Sequence, residues 1–284
     1  MFNSIKNFLL FLFVISLTAC SYSPDSLKEL YAEAGPEFAD EIKKGITTTP
    51  QQNAMINDYT KQLMHWHRRN KLPEYSRLFA NLASLVEQDN IPVAQLNTAL
   101  KQLDAMPHFE QATHLTYKMV SVAESLSSQQ ISKVEQIINN EYQQDVLASK
   151  QKAYSEEIVN DIKIMFSFLG INLNADQRQS IKIKVKQLHD IRPYKLQAEK
   201  RWNKQFINIL RQVNNPNFAA RFKQSWDTKE PLLTDKGYQL EQQNNLLMAN
   251  LLKALISDFT AEEKTKLSKQ LMSISDTLGE MVYE

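Results

Sequence analysis

The sequence predicts an all-α protein, an extended multi-helix bundle of eight or nine helices behind a short apolar leader. Three observations carry that prediction. Glycine is scarce, with five in 284 residues, and good helix formers such as Leu, Gln, Lys, Glu, Ala and Met dominate. Apolar residues recur at spacings of three and four, as in Met55, Tyr59, Leu63 and Trp66, in Ile131, Val134, Ile138 and Tyr142, and in Leu246, Ala249, Leu252 and Ile256. Strand-like alternation is nearly absent. An apolar share of 43% with 23% charged residues suits a packed core and excludes wholesale disorder.

Residues 1–19 read as a signal peptide: Lys6 is a positive start, Phe8 to Ile15 is unbroken apolar chain, and small residues precede Cys20. This run is too short to span a bilayer, which takes about 20 apolar residues. Leu17, Thr18, Ala19 and Cys20 resemble the bacterial lipobox, in which cleavage after Ala19 leaves Cys20 as the lipidated first residue. Cys20 is the only cysteine of the chain. The resemblance implies a lipid-anchored lipoprotein held by palmitate-type acyl chains, several of which anchor stably. Ser21, where inner-membrane lipoproteins typically carry Asp, favours the outer membrane with the body facing the periplasm over an inner-membrane location.

Loss of residues 1–19 leaves 32 cations against 32 acids. The charges are segregated. In the acidic juxtamembrane segment, residues 20–48, Asp25, Glu29, Glu33, Glu37, Asp40 and Glu41 face only Lys28 before Lys43. Nine cations outweigh Asp190 and Glu199 between Arg178 and Lys204. A neutral, exported chain gives no reason to expect nucleic acid as a partner.

Residues 49–284 form the helical body. Thr49-Pro50-Gln51-Gln52 opens a helix with proline at its first position. Pro73 kinks or divides the helix that follows. Further breaks are expected near Pro92, Pro107, Gly170, Pro193, Pro216 and from Pro231 to Gly237. Ser127 with Gln130, Asn174 with Gln177 and Thr260 with Glu263 each place a capping residue three before Gln or Glu, the spacing of a capping box.

Two resemblances follow from these patterns. The Leu126 and Leu173 segments are similar to the L-T-x-x-Q signature of the periplasmic Spy and CpxP type, which includes helical chaperones, though Ser127 and Asn174 replace its Thr. The run Trp66-His67-Arg68-Arg69-Asn70-Lys71-Leu72-Pro73-Glu74-Tyr75 resembles a family of proteobacterial lipoproteins of unknown function carrying W-H-R-x-x-x-L-P-x-Y. That likeness covers about residues 20 to 230. It implies no activity. The residues themselves offer two roles for Trp66, His67, Arg68, Leu72, Pro73 and Tyr75: a structural corner, with Trp66 buried and Arg68 and Arg69 bonding carbonyls freed by Pro73, or an anion-holding patch.

No catalytic motif is visible, and an enzyme is not expected. His65 and His67 stand about 200° apart on a helix and cannot chelate one metal. No metal or cofactor is therefore expected. Ile181, Val185 and Leu188 give the basic segment an amphipathic spacing, so Lys182, Lys184, Lys186 and Arg192 form either a wet helix face or a patch for anionic lipid or an acidic client. The function expected is non-catalytic protein binding at the membrane surface, chaperone-like or as envelope scaffolding, with envelope or unfolded proteins as partners. The rival is an envelope hydrolase or transferase whose site the sequence does not reveal.

Overall fold

The computed structural model describes residues 23–107, 109–228 and 233–283. Leu17, Thr18, Ala19 and Cys20 lie outside them. Among the described residues there are twelve α-helices and no strand, more helices than the eight or nine expected. They are α1 (Pro24–Lys43), α2 (Pro50–Asn70), α3 (Leu72–Val86), α4 (Val93–Ala105), α5 (Thr116–Glu124), α6 (Ser128–Gln151), α7 (Tyr154–Phe168), α8 (Ala175–Lys184), α9 (Arg192–Leu210), α10 (Phe218–Asp227), α11 (Asp235–Ser257) and α12 (Ala261–Glu280). No described helix is long and apolar enough to cross a membrane.

The surplus comes from three places. The segment expected as an acidic lead-in is the helix α1, which buries Ala34, Phe38, Ala39 and Ile42. Pro73 divides rather than kinks, because it sits in the first turn of α3 and has no N–H for the Arg69 carbonyl. A further break falls at Lys152 and Ala153, between α6 and α7, with neither proline nor glycine to mark it. At the far end the expected break is shorter than read, since Thr234 caps α11 and Gly237 lies inside its first turn.

All the expected capping boxes form. Thr49, Ser127, Asn174 and Thr260 each accept from the N3 amide while Gln52, Gln130, Gln177 and Glu263 reach back to the cap. Ser23 and Ser26 make another at the start of α1. Two of the boxes are joined. The Gln130 amide donates to Gln52 Oε1 at 2.8 Å and to the Thr47 carbonyl at 2.8 Å, while Gln52 donates to the Ser125 carbonyl at 2.9 Å. The starts of α2 and α6 are thereby locked together.

The helices enclose two hydrophobic cores. The first gathers α2, α5, α6, α9 and α10 with the C-terminal half of α1, around Leu63, Phe206, Phe222 and Trp226. The second gathers α3, α4, α7, α8, α11 and α12, around Leu72, Phe166, Ile181, Leu267 and Ile274. The chain crosses between them repeatedly. Helix α12 lies antiparallel along α3, with Ser275 bonded to Ser76 and Ser268 to Glu87, and α11 covers α4 in the same manner, tied by Lys101 to Gln242 and Lys253 to Asn90. Helix α1 straddles the seam: Leu27 and Tyr31 pack on the second core, and Phe38 and Ile42 enter the first.

Candidate functional site

The Trp66 to Tyr75 segment lies on this seam, where α2 leaves the first core and α3 enters the second. His67 is buried, 4% exposed, while Trp66 is only half-buried against His114. The His67 ring stands between Tyr31 of α1, Tyr75 of α3 and Phe109, with centroids 5.8, 5.5 and 4.9 Å away. Nδ1 of His67 lies 2.9 Å from the Tyr31 hydroxyl. Burial pushes the Tyr31 and Tyr75 hydroxyls well above the ordinary phenol range. This polar contact joins α1 to α2 in an apolar setting, where a hydrogen bond selects one arrangement, and the Tyr75 ring adds α3 by packing.

The two arginines do not bond the freed carbonyls. Arg68 lies over the Tyr31 ring at 5.4 Å, Arg69 is exposed, and the Trp66 carbonyl is taken by the Asn70 amide at 2.8 Å. Lys71 fills the corner. It is 5% exposed, with Nζ 2.8 Å from Glu74 and over the Trp66 ring at 5.9 Å. Leu72 and Tyr75 are buried in the second core.

Beside this corner α1 and α2 form an antiparallel hairpin whose outer side is an open groove of about 1060 Å³. Its floor is small and mostly apolar: Ala32, Gly35, Pro36, Ala39 and Met64. Close approach of the helices explains Gly35, where a Cβ would come 3.1 Å from the Met64 side chain. Pro36 sits inside α1 and has no N–H to give the Ala32 carbonyl, so an acceptor is released beside the groove. One wall carries Lys61, His65, Arg68 and Arg69 of α2. Lys43 also lines it but is held by Asp40 at 2.7 Å.

The basic segment is less open than its composition suggests. Arg192 is turned inward on Asp190 at 2.6 Å, Glu157 at 3.1 Å and the Lys152 carbonyl at 3.0 Å, and covers the Tyr154 ring. These bonds hold the Asp190 carboxyl below the usual range. Lys182 and Lys186 remain exposed around buried Ile181 and Val185, with Lys184 half-buried. A second groove, between α3 and α4, measures about 570 Å³ and is lined by uncharged groups including Asn81, Gln88, Gln95 and Gln102. No group of three or more metal-ligating side chains occurs among the described residues.

Fold and groove together define an all-helical protein with an open groove walled by cations. The chain belongs to the DUF6279 family, a family of unknown function whose model matches residues 46–239. No curated protein and no solved structure matches it. The matched span includes the Trp66 to Tyr75 corner and α2, while α1 and nearly all of α11 and α12 lie outside it. Lys61, Tyr31 and the small floor of α1 were not singled out from sequence. The signal was present in the four-residue spacing of Asp25, Glu29, Glu33, Glu37 and Glu41, which marks a helix with an acidic stripe turning slowly round it.

Proposed function

We propose that the protein is a lipid-tethered scaffold of the bacterial envelope, exported by residues 1–19, anchored through Cys20 at the outer membrane, and docking a protein partner on its α1–α2 face in the periplasm. The observation that carries this reading is the groove itself. It is open, small-floored and flanked by charge, with Val282 and Tyr283 in its lining, which suits a protein surface better than a small molecule. Scaffolding is favoured over chaperone-like capture because promiscuous capture uses flexible, Met-rich apolar surface. The groove floor holds one methionine among small residues, and of the exposed large apolar side chains among the described residues Tyr283 alone lines the groove, while Tyr117, Leu147, Ile183, Tyr238, Leu246 and Met272 are spread over α5, α6, α8, α11 and α12. The W-H-R-x-x-x-L-P-x-Y pattern belongs to this proposal as the corner that holds α1 and α2 against both cores.

Two assays test it. Cys20→Ala should abolish labelling by a fatty-acid probe, and persistent labelling would remove the tether. Light scattering of an aggregating unfolded protein should be unchanged by an equimolar amount of residues 21–284. Suppression there would overturn scaffolding in favour of chaperone-like capture.

A further inference from the structure

We infer that the partner of the α1–α2 face is a second copy of this chain, paired about a two-fold axis that runs parallel to the hairpin. The inference takes the docking reading of the groove and names its occupant. Both halves of an electrostatic complement lie on the same face. Glu33 and Glu37 each follow a groove-lining residue, Ala32 and Pro36, and so stand about 100° further round α1. With Glu29 they form an acidic ridge along the outer edge of α1, beyond the groove lining, whose acid is Asp40, held by Lys43. Lys61, His65, Arg68 and Arg69 form the α2 side.

These charges are unbalanced within one copy. Glu29, Glu33 and Glu37 make no ion pair among the described residues, and Glu37 Oε2 is buried without a hydrogen-bond partner. The Glu37 carboxyl is held above its usual range by burial and by Glu33, Asp40 and Glu41. Like charges at a spacing of four on a helix repel. A surface that keeps such a ridge unneutralised, beside an unneutralised basic one, is complementary to itself.

Register and symmetry select one pairing. Within the hairpin Tyr31 stands level with His67, Gly35 with Met64 and Lys43 with Asn57. The same register puts Glu29 level with Arg69, Glu33 with His65 and Glu37 with Lys61. A two-fold axis parallel to the helices preserves height and exchanges sides, so α1 of each copy faces α2 of the other and all three pairs stand at matching heights. An axis across the hairpin would set α1 against α1, acid on acid, which costs several kcal/mol. The parallel axis also keeps both α1 N-termini at one end, as two chains tethered to one membrane require. Two helices about 30 Å long and about 10 Å wide cover about 600 Å² per copy, or about 1,200 Å² in all, the lower edge of specific interfaces. Tethering supplies the high local concentration that a contact of this size needs.

Disulfide trapping in the membrane of cells making the full chain tests the pairing, because the chain brings no cysteine besides Cys20. Two differently tagged copies are co-expressed, one with Glu33→Cys and one with His65→Cys. The expected result is a mixed-tag disulfide dimer, with little product when either variant is made alone. Glu37→Lys added to the His65→Cys copy, whose α1 faces the other copy's α2, should lower the mixed product, and adding Glu29→Lys should lower it further, by about ten-fold or more together. Lys61→Glu with Arg69→Glu in the Glu33→Cys copy should restore it. Circular dichroism of the purified variants checks that each is folded. A Glu33→Cys dimer formed alone would overturn the arrangement. Absence of any dimer in folded variants would overturn self-pairing, while a cross-link from the same groove to another protein would leave the docking reading standing.

Discussion

His67 is where a single side chain decides the most. The imidazole is buried with its faces covered by Tyr31, Tyr75 and Phe109 and its Nδ1 met by the Tyr31 hydroxyl, so packing and one polar contact hold the ring together. Truncation leaves a cavity at the seam of both cores. His67→Ala should therefore cost about 3 kcal/mol, and Tyr31→Phe about 1 kcal/mol, both read from urea denaturation; losses under about 0.5 kcal/mol for His67→Ala would deny the ring its role as a clamp. Asp190 offers a pH-dependent counterpart. Arg192 lowers its folded pKa, so the stability it contributes is present above the unfolded carboxylate range and is lost as pH falls through the folded value. The gap between the parent chain and Asp190→Asn should be flat above about pH 5 and close in more acid solution, with a size below about 1 kcal/mol because the pair is partly exposed. A gap that widens with acid would contradict the assignment.

At the level of helices, what is local in the chain was legible and what depends on the far side of the molecule was not. The capping boxes at Thr49, Ser127, Asn174 and Thr260 are set within four residues, and all of them form. The break at Lys152 and Ala153 carries no such mark; good helix formers stop there because the chain passes from the first core to the second, where packing overrides propensity. Helix α1 carries in sequence the mark of a charged lead-in, because Asp25, Glu29, Glu33, Glu37, Asp40 and Glu41 outweigh Lys28, and only the positions of Phe38 and Ile42 in the first core give it a place there. Glutamine at the third position of two boxes also acquires a reason. Gln130→Glu keeps the acceptor for the cap but loses the amide that bonds Thr47 and Gln52, setting a carboxylate against their oxygens. It should cost about 1 to 3 kcal/mol. Glu263→Gln, in a box that bonds only its own cap, should be nearly neutral. Equal effects at the two positions would show that the box-to-box lock contributes nothing.

For the molecule as a whole, two cores joined by repeated chain crossings make a rigid support, and α1 lies across both. Removal of α12 should expose the apolar face of α3, since Leu267, Leu271, Ile274 and Leu278 are buried with Leu72, Leu78 and Leu82 in one core. Ile274→Ala alone should cost about 2 to 5 kcal/mol. The candidate site was legible only in parts. Arg68 and Arg69 stood in a run already singled out, but the groove needs α1 beside α2, and no spacing within either helix reports that. Arg192 misled in part for the same reason, since one of its two carboxylate partners, Glu157, comes from another helix, while Asp190 stands two residues away. The docking face is the central claim, and site-specific photo-crosslinking tests it most directly. A photoreactive amino acid at Ala32, an exposed position on the groove floor, is compared in intact cells with the same group at Tyr117, 59% exposed on α5. The account predicts a discrete protein adduct from position 32 that position 117 does not give; no adduct at position 32, or the same adducts from both positions, would contradict it.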